Sequence, residues 1–177
     1  MHLPEEILAL HRNLGRHGGR VVVVGGAVRD FLLNRNASKD LDLEVFGVSP
    51  DQLEAVLKGF GKVQLVGRSF SVWKLQTQQA CYDISLPRQE SKCGPGHRGF
   101  KVHPNPNLSF AQAARRRDFT INSIGFDIHS NTWLDPYDGR QDLQRRILQH
   151  VGPAFSEDPL RVLRAARLAA NLNFHVS

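Results

Sequence analysis

Asp40 and Asp42 stand two residues apart in the segment KDLDLEVF, downstream of the pair Gly25-Gly26. Alternate side chains of an extended strand share a face, so Asp40, Asp42 and Glu44 line one side and Leu41, Leu43 and Val45 the other. Two carboxylates so placed can hold a pair of Mg²⁺ ions about 4 Å apart, which clamp the attacking and leaving oxygens of an in-line phosphoryl displacement. The glycines add a phosphate cradle. They follow the β-branched run Val21 to Val24, which reads as a strand covered on both faces, and they let backbone N–H groups approach a phosphate at the start of the helix carrying Arg29. The Arg29 guanidinium is a planar fork suited to paired bonds with phosphate oxygens. A lone Gly-Gly or Asp-x-Asp reads as a tight turn or a solvated strand face, but together and in this order they point to metal-dependent nucleotide transfer. Glu44 lies on the same face farther along, which suits an outer-shell position or solvent.

A third carboxylate would help to place the hydroxyl that attacks. Asp83 is the candidate, because alternation in ACYDISLPR sets it with Cys81 and Ser85, away from Tyr82, Ile84 and Leu86; a surface acid on an edge strand fits that pattern equally well. Asp158 and Arg161, three residues apart in a helical pattern, can project to one side as an acceptor beside guanidinium donors. Cytosine and adenine both offer an exocyclic amine next to a ring-nitrogen acceptor, whereas uracil and guanine reverse that order. One Asp/Arg pair can therefore accept CTP and ATP and reject UTP and GTP, since a wrong base leaves buried polar groups unpaired. Without its neighbours, the pair reads as a surface salt bridge.

These residues resemble the head domain of the class II tRNA nucleotidyltransferases (CCA-adding enzymes) and the related bacterial poly(A) polymerases, within the DNA polymerase β nucleotidyltransferase superfamily. Three further stretches carry the likeness, RRRDFTIN from Arg115, LDPYDG from Leu134 and EDPLRVLRAAR from Glu157, so that it runs from about Val21 to the end. The resemblance implies a Mg²⁺-dependent, template-independent enzyme that joins CMP and AMP from CTP and ATP to the 3′ end of tRNA and releases pyrophosphate. Enzymes adding only A, only CC or a poly(A) tail share the same head. It implies further that Asp40 and Asp42 are metal ligands, that Arg117 adds to the triphosphate contacts, and that Asp118 and Asn122 lie around the ribose. The EDxxR motif would read the base through Asp158 and Arg161, with Arg164 and Arg167 continuing toward the nucleotide. A run of three arginines is otherwise usually a solvated basic face, and Asp-Phe-Thr-Ile-Asn behind it is what sets this one apart.

The elements that must position these groups are those of an α+β fold: a polymerase β-like head with a mixed, mainly antiparallel sheet flanked by helices, then the start of a helical neck. Pro4-Glu5-Glu6 opens a first helix that Gly18-Gly19 stops, and Pro50 to Phe60 forms a second amphipathic one. Val63 to Val66, Ser71 to Leu75 and Cys81 to Leu86 read as short strands. Residues 87–107, rich in Gly, Pro and basic side chains, read as a long loop that shapes the site. Ser109 and Gln112 fit a capping box ahead of a short helix ending at the arginines. From Glu157 the pattern is helical, with Leu160, Leu163, Ala166 and Ala170 as an apolar stripe. The expected division is a head over 1–150 and the beginning of a base-recognising neck over 151–177.

The chain has 177 residues, 41% of them hydrophobic, enough for one ordinary core. A net charge of +6 suits a polyanionic partner such as the tRNA end, though it serves solubility as well. Cys81 and Cys93 form no zinc pattern, no histidine motif suggests a hydrolase, and no apolar run approaches the roughly 20 residues that span a bilayer. A cytoplasmic protein with no membrane association is expected. The resembling enzymes continue through further helices that grip the tRNA acceptor arm, so the expectation for this chain is a truncated or minimal catalytic portion. A nucleotide- or RNA-binding fragment that cannot turn over alone is the reading from a different class.

Overall fold

The computed structural model describes residues 1–35, 41–66, 72–92 and 100–177; Asp40, expected to be a metal ligand, lies outside the described residues. Helix α1 (Glu5–Arg16) carries Glu5 and Glu6 in its first turn and Arg16 in its last, both favourable to the helix dipole. Strand β1 (Arg20–Val24) follows, then α2 (Gly26–Leu32), β2 (Leu41–Phe46) and α3 (Pro50–Lys58). A meander of β3 (Lys62–Val66), β4 (Val72–Gln76) and β5 (Cys81–Ser85) comes next. Beyond it lie β6 (Arg88–Lys92), β7 (Phe100–Pro104), the short α4 (Phe110–Ala114), β8 (Gly125–Asp127) and β9 (Thr132–Leu134). The chain closes with α5 (Gly139–Arg145), β10 (Ile147–Leu148), α6 (Leu160–Leu172) and β11 (His175–Val176).

Among the described residues seven strands form one sheet in the order β3-β4-β5-β2-β1-β8-β9. Every neighbouring pair is antiparallel except β2 and β5, which run parallel and set Asp42 opposite Asp83. The mixed, mainly antiparallel sheet expected from the sequence is the one observed.

β1 shows why an unbroken valine run is needed. Val21 and Val23 enter the larger core with Ile7, Leu10 and Leu14 of α1 and Leu53 and Leu57 of α3. Val22 and Val24 enter a second core with Phe46, Phe110, Ala113 and Ala114. Both faces of the strand are therefore dry, and each buried valine contributes about 1.5–3 kcal/mol. Tyr82 is buried on the α1 side, where its hydroxyl donates to Glu6 and burial raises its pKa well above the usual phenol range.

The helix starts are local and follow from sequence. Ser49 and Gln52 cap α3 reciprocally, at 3.2 Å for Gln52 N–H to Ser49 Oγ and 2.9 Å for Ser49 N–H to Gln52 Oε1. Ser109 and Gln112 do the same for α4, which ends where the arginine run begins.

Two expectations need correction. Residues 87–107 are not one long loop, because β6 and β7 pair as an antiparallel ribbon from Arg88 opposite Pro104 to Lys92 opposite Phe100. Backbone pairing between these two consecutive strands holds it, so no local hydrophobic alternation was required. The apolar stripe proposed for α6 is also the wrong face. Leu160 and Leu163 are exposed, at 46% and 68%, while Ala165 and Leu172 are buried with Leu168 and Ala169 packed beside them. An Ala-rich helix offers two apolar stripes at helical spacing, and tertiary contact selects between them.

Candidate active site

The β2 face bearing Asp42 and Glu44 opens on the side of the sheet away from α1 and α3, into a cavity of about 690 Å³. Gly25, Gly26, Arg29, Asp42 and Asp83 line one end of it. Arg117, Asp118 and Asn122 form a wall, and Asp158, Arg161, Arg164 and Arg167 close the side made by α6. Every site residue expected from the sequence thus meets in one space, apart from the undescribed Asp40. Among the described residues seven arginines and four aspartates line it, a positive excess suited to a polyphosphate.

Gly25 has φ +76° and ψ −145°, a backbone region that is essentially glycine's own. A Cβ there would also lie 2.8 Å from Asp42 Oδ2. The turn therefore brings bare backbone against the carboxylate.

Asp83 lies beside Asp42 across the parallel pair, and its Oδ1 accepts from Lys74 Nζ at 2.9 Å. Among the described residues no group of three or more His, Cys, Asp or Glu forms a cage for a metal ion. Mg²⁺ does not ask for one. It takes one or two carboxylates and completes its shell with water and substrate phosphates, and the hard oxygens of Asp42 and Asp83 fit that pattern.

The cavity wall is a chain of hydrogen bonds. Arg29 Nη1 donates to Asn122 Oδ1 at 2.9 Å, Asn122 Nδ2 to Asp118 Oδ1 at 3.0 Å, and Arg164 Nε to Asp118 Oδ2 at 2.8 Å. Asp118 also accepts from the Phe119 N–H at 2.8 Å. Arg29 is further held by Asp30 through Nε at 2.9 Å and Nη2 at 2.8 Å. Arg29, Asn122, Asp118 and Arg164 are thus tied to one another by hydrogen bonds.

Glu44 is not solvated, as one reading of the sequence allowed. It is fully buried and takes Arg116 Nη2 at 3.0 Å and Arg117 Nη2 at 2.7 Å. Burial lowers the Arg117 pKa from its ordinary value, and the adjacent Glu44 carboxylate opposes that shift.

Asp158 and Arg161 differ locally from the expected pair on one helix. Asp158 is extended, at φ −116° and ψ 106°, and its Oδ1 accepts the Leu160 N–H at 3.0 Å. Arg161 sits in the first turn of α6, lies 6.0 Å over the Phe155 ring, and donates from Nη2 to the Arg116 carbonyl at 2.8 Å. Both still line the cavity. Sequence reasoning missed Arg88 and Asn171, which also line it; Arg88 stands at the start of the ribbon, whose basic character was the available signal.

Residues 21–149 match the family described as the Poly A polymerase head domain. The chain is 48% identical over 151 residues to the "Multifunctional CCA protein" of Stenotrophomonas maltophilia strain K279a, covering 85% of this chain and 35% of that protein. It is 47% identical over 150 residues to the protein of that name from Xylella fastidiosa strain 9a5c, covering 85% and 34%. It therefore spans about a third of the length of these curated relatives. Among solved structures it is similar to the Bacillus stearothermophilus CCA-adding enzyme in complex with CTP, with TM-score 0.82 and 32% identity over 100% of this chain and 42% of that one. A tRNA nucleotidyltransferase complexed with a primer tRNA and an incoming ATP analog aligns with TM-score 0.75 and 29% identity, over 95% of this chain and 46% of the other. With the glycine turn, the aspartate strand and the arginine-lined wall all falling within or beside the matched span, the chain belongs to the Poly A polymerase head domain family.

Proposed function

We propose that the chain is the catalytic portion of an RNA nucleotidyltransferase that transfers CMP and AMP from CTP and ATP to a tRNA 3′ end, releasing pyrophosphate. The observation that carries this reading is the single cavity joining a carboxylate pair, a glycine turn, an arginine-rich wall and the Asp158/Arg161 pair. The division into a head over 1–150 and the first part of a helical neck over 151–177 belongs to the same proposal, as does a cytoplasmic setting. Among the described residues no helix is long and apolar enough to cross a membrane.

Asp40 and Asp42 would hold Mg²⁺, which when bound supplies charge neutralisation at the triphosphate, and Asp83, opposite Asp42 on β5, would help to place the attacking hydroxyl. Arg29, braced by Asp30 and Asn122, offers its guanidinium to phosphate oxygens at the Gly25-Gly26 end. Arg117 adds positive charge to that field, and Arg164 and Arg167 extend it along α6. Asp118 and Asn122 set the ribose wall. Asp158 and Arg161 read the amine and ring-nitrogen edge that C and A share. No side-chain nucleophile is needed, because orientation of the RNA hydroxyl against a held triphosphate removes most of the entropic barrier.

The test is incubation of labelled CTP and ATP, singly and together, with tRNA ending before, within and after CCA. Completion of CCA and then arrest is the expected outcome. Continued A addition would favour the second reading, a poly(A) polymerase, which the description of the matched family itself suggests. No Mg²⁺-dependent incorporation would leave a nucleotide- or RNA-binding fragment.

A further inference from the structure

Glu44 does something that neither the carboxylate pair nor the EDxxR motif accounts for. It lies on β2 two residues beyond Asp42, on the cavity side of the sheet, with no exposure to solvent. Its two oxygens are divided between two consecutive arginines, Oε1 to Arg116 and Oε2 to Arg117. From Arg116 the path continues to the base end of the cavity, because its backbone carbonyl accepts Arg161 Nη2 at 2.8 Å. From Arg117 it continues to the phosphate end. Arg117 Nη1 donates to the Asn122 carbonyl at 3.2 Å, and Asn122 Oδ1 receives Arg29 Nη1 at 2.9 Å.

We infer that Glu44 is a positioning residue that sets base selection and triphosphate contact together, by holding Arg116 and Arg117 in the one arrangement that aligns Arg161 and Arg29. This rests on the nucleotide-binding reading of the cavity given above. A single carboxylate neutralises one of two guanidinium charges, so the cluster keeps a net positive charge for an incoming polyanion. Burial of Arg117 makes that carboxylate harder to dispense with, since an unpaired buried guanidinium is penalised.

Titration calorimetry of the whole 177-residue protein with Mg²⁺ and each of CTP, ATP, UTP and GTP tests this. Glu44→Gln keeps the shape, loses the charge and sets an amide N–H₂ against a guanidinium. CTP and ATP should weaken by about tenfold, the size of one charged hydrogen bond, and their advantage over UTP and GTP should narrow. Glu44→Asp, which keeps the carboxylate, should recover part of that advantage. Arg116→Gln leaves the Glu44–Arg117 pair in place and should narrow the preference with less loss of affinity, which keeps the test open if Glu44→Gln does not fold. An unchanged preference in the folded variants, or an equal weakening of all four nucleotides, overturns the inference. Asp158→Ala separates the two levels of argument. If it leaves preference intact, the base-reading assignment itself fails, whereas if it flattens preference and Glu44→Gln does not, only the role of Glu44 falls.

Discussion

Arg164 reaches from α6 to Asp118, placing Nε at 2.8 Å and Nη2 at 2.7 Å from the same carboxylate oxygen. Asp118 is nearly buried while Arg164 is 59% exposed, so one side of the pair is screened by solvent. This contact joins the last helix to the wall that holds Asn122 and Arg29.

Arg164→Ala should cost about 1 kcal/mol of stability, since a half-solvated pair contributes little more and Asp118 retains its bonds from Phe119 and Asn122. It should weaken nucleotide binding as well. Urea denaturation and nucleotide titration of one preparation check both effects. A stability loss with unaltered binding would remove α6 from the nucleotide site.

Asp42→Ala should reduce nucleotide transfer by about 10²-fold or more, in line with losing a main electrostatic contact at the reacting centre. The fold should persist, because Asp42 is exposed on its strand and the apolar face of β2 is untouched. Asp40→Ala should behave alike. Transfer at the parental rate by either pure variant would refute the metal assignment, and a circular dichroism melt separates that outcome from unfolding.

Gly25→Ala combines a backbone conformation that side chains avoid with a Cβ placed 2.8 Å from Asp42 Oδ2. Strain of this kind is worth about 1–3 kcal/mol. The expected signature is a raised Mg²⁺ requirement together with a lowered melting temperature, because the new methyl displaces Asp42, the proposed metal ligand. Gly15→Ala is the control, since a Cβ there meets nothing within 4 Å. Equal Mg²⁺ dependence in both variants would show that the turn does not govern the carboxylate.

His11 on α1 faces the His129 ring at 5.9 Å, and its buried Nδ1 has no hydrogen-bond partner among the described residues. Burial lowers its pKa below 6.5, His129 and Arg12 add to the shift, and Asp127 opposes it. Asp127 is itself held ionised by Ser130, Arg20 and the His129 N–H, which outweigh burial. Below about pH 6.5 the unfolded chain takes up a proton at His11 that the folded chain resists, so stability should fall as pH drops from there toward the lowered folded value. Melting temperatures from pH 7.5 to 5, for the parent and His11→Leu, check this over a range of about 2.5 pH units around the imidazole's ordinary value. An equally steep decline in both proteins would exclude His11 as the source.

What could be read from sequence was local. The valine run, the Gly-Gly turn, the alternation of Leu41, Asp42 and Leu43 and the Ser109/Gln112 capping box depend on neighbours within a few residues, and each stands where expected. Alternation also put Glu44 on the polar face, but nothing local could say that arginines more than seventy positions away would bury it. The β6–β7 ribbon escaped for a related reason, since its strands are defined by each other and not by an amphipathic pattern. The packed face of α6 was decided by Phe174, Leu172 and the head core, against an equally regular alternative. Arg88 entered the cavity through the ribbon and was invisible without it.

The two-residue pairing of β10 with β11 gives α6 a different mechanical character from a free terminal helix. Ile147 and Leu148 lie parallel to His175 and Val176, so the stretch between them is a loop closed at both ends. Closure shrinks the volume that α6 can explore, and the entropy of closing such a loop grows only slowly with its length. The arginines of α6 are thereby presented to the cavity at high effective concentration, as a tethered ligand is. Substitutions that loosen β11 should act on nucleotide affinity from a distance, by diluting those guanidinium groups without altering any of them.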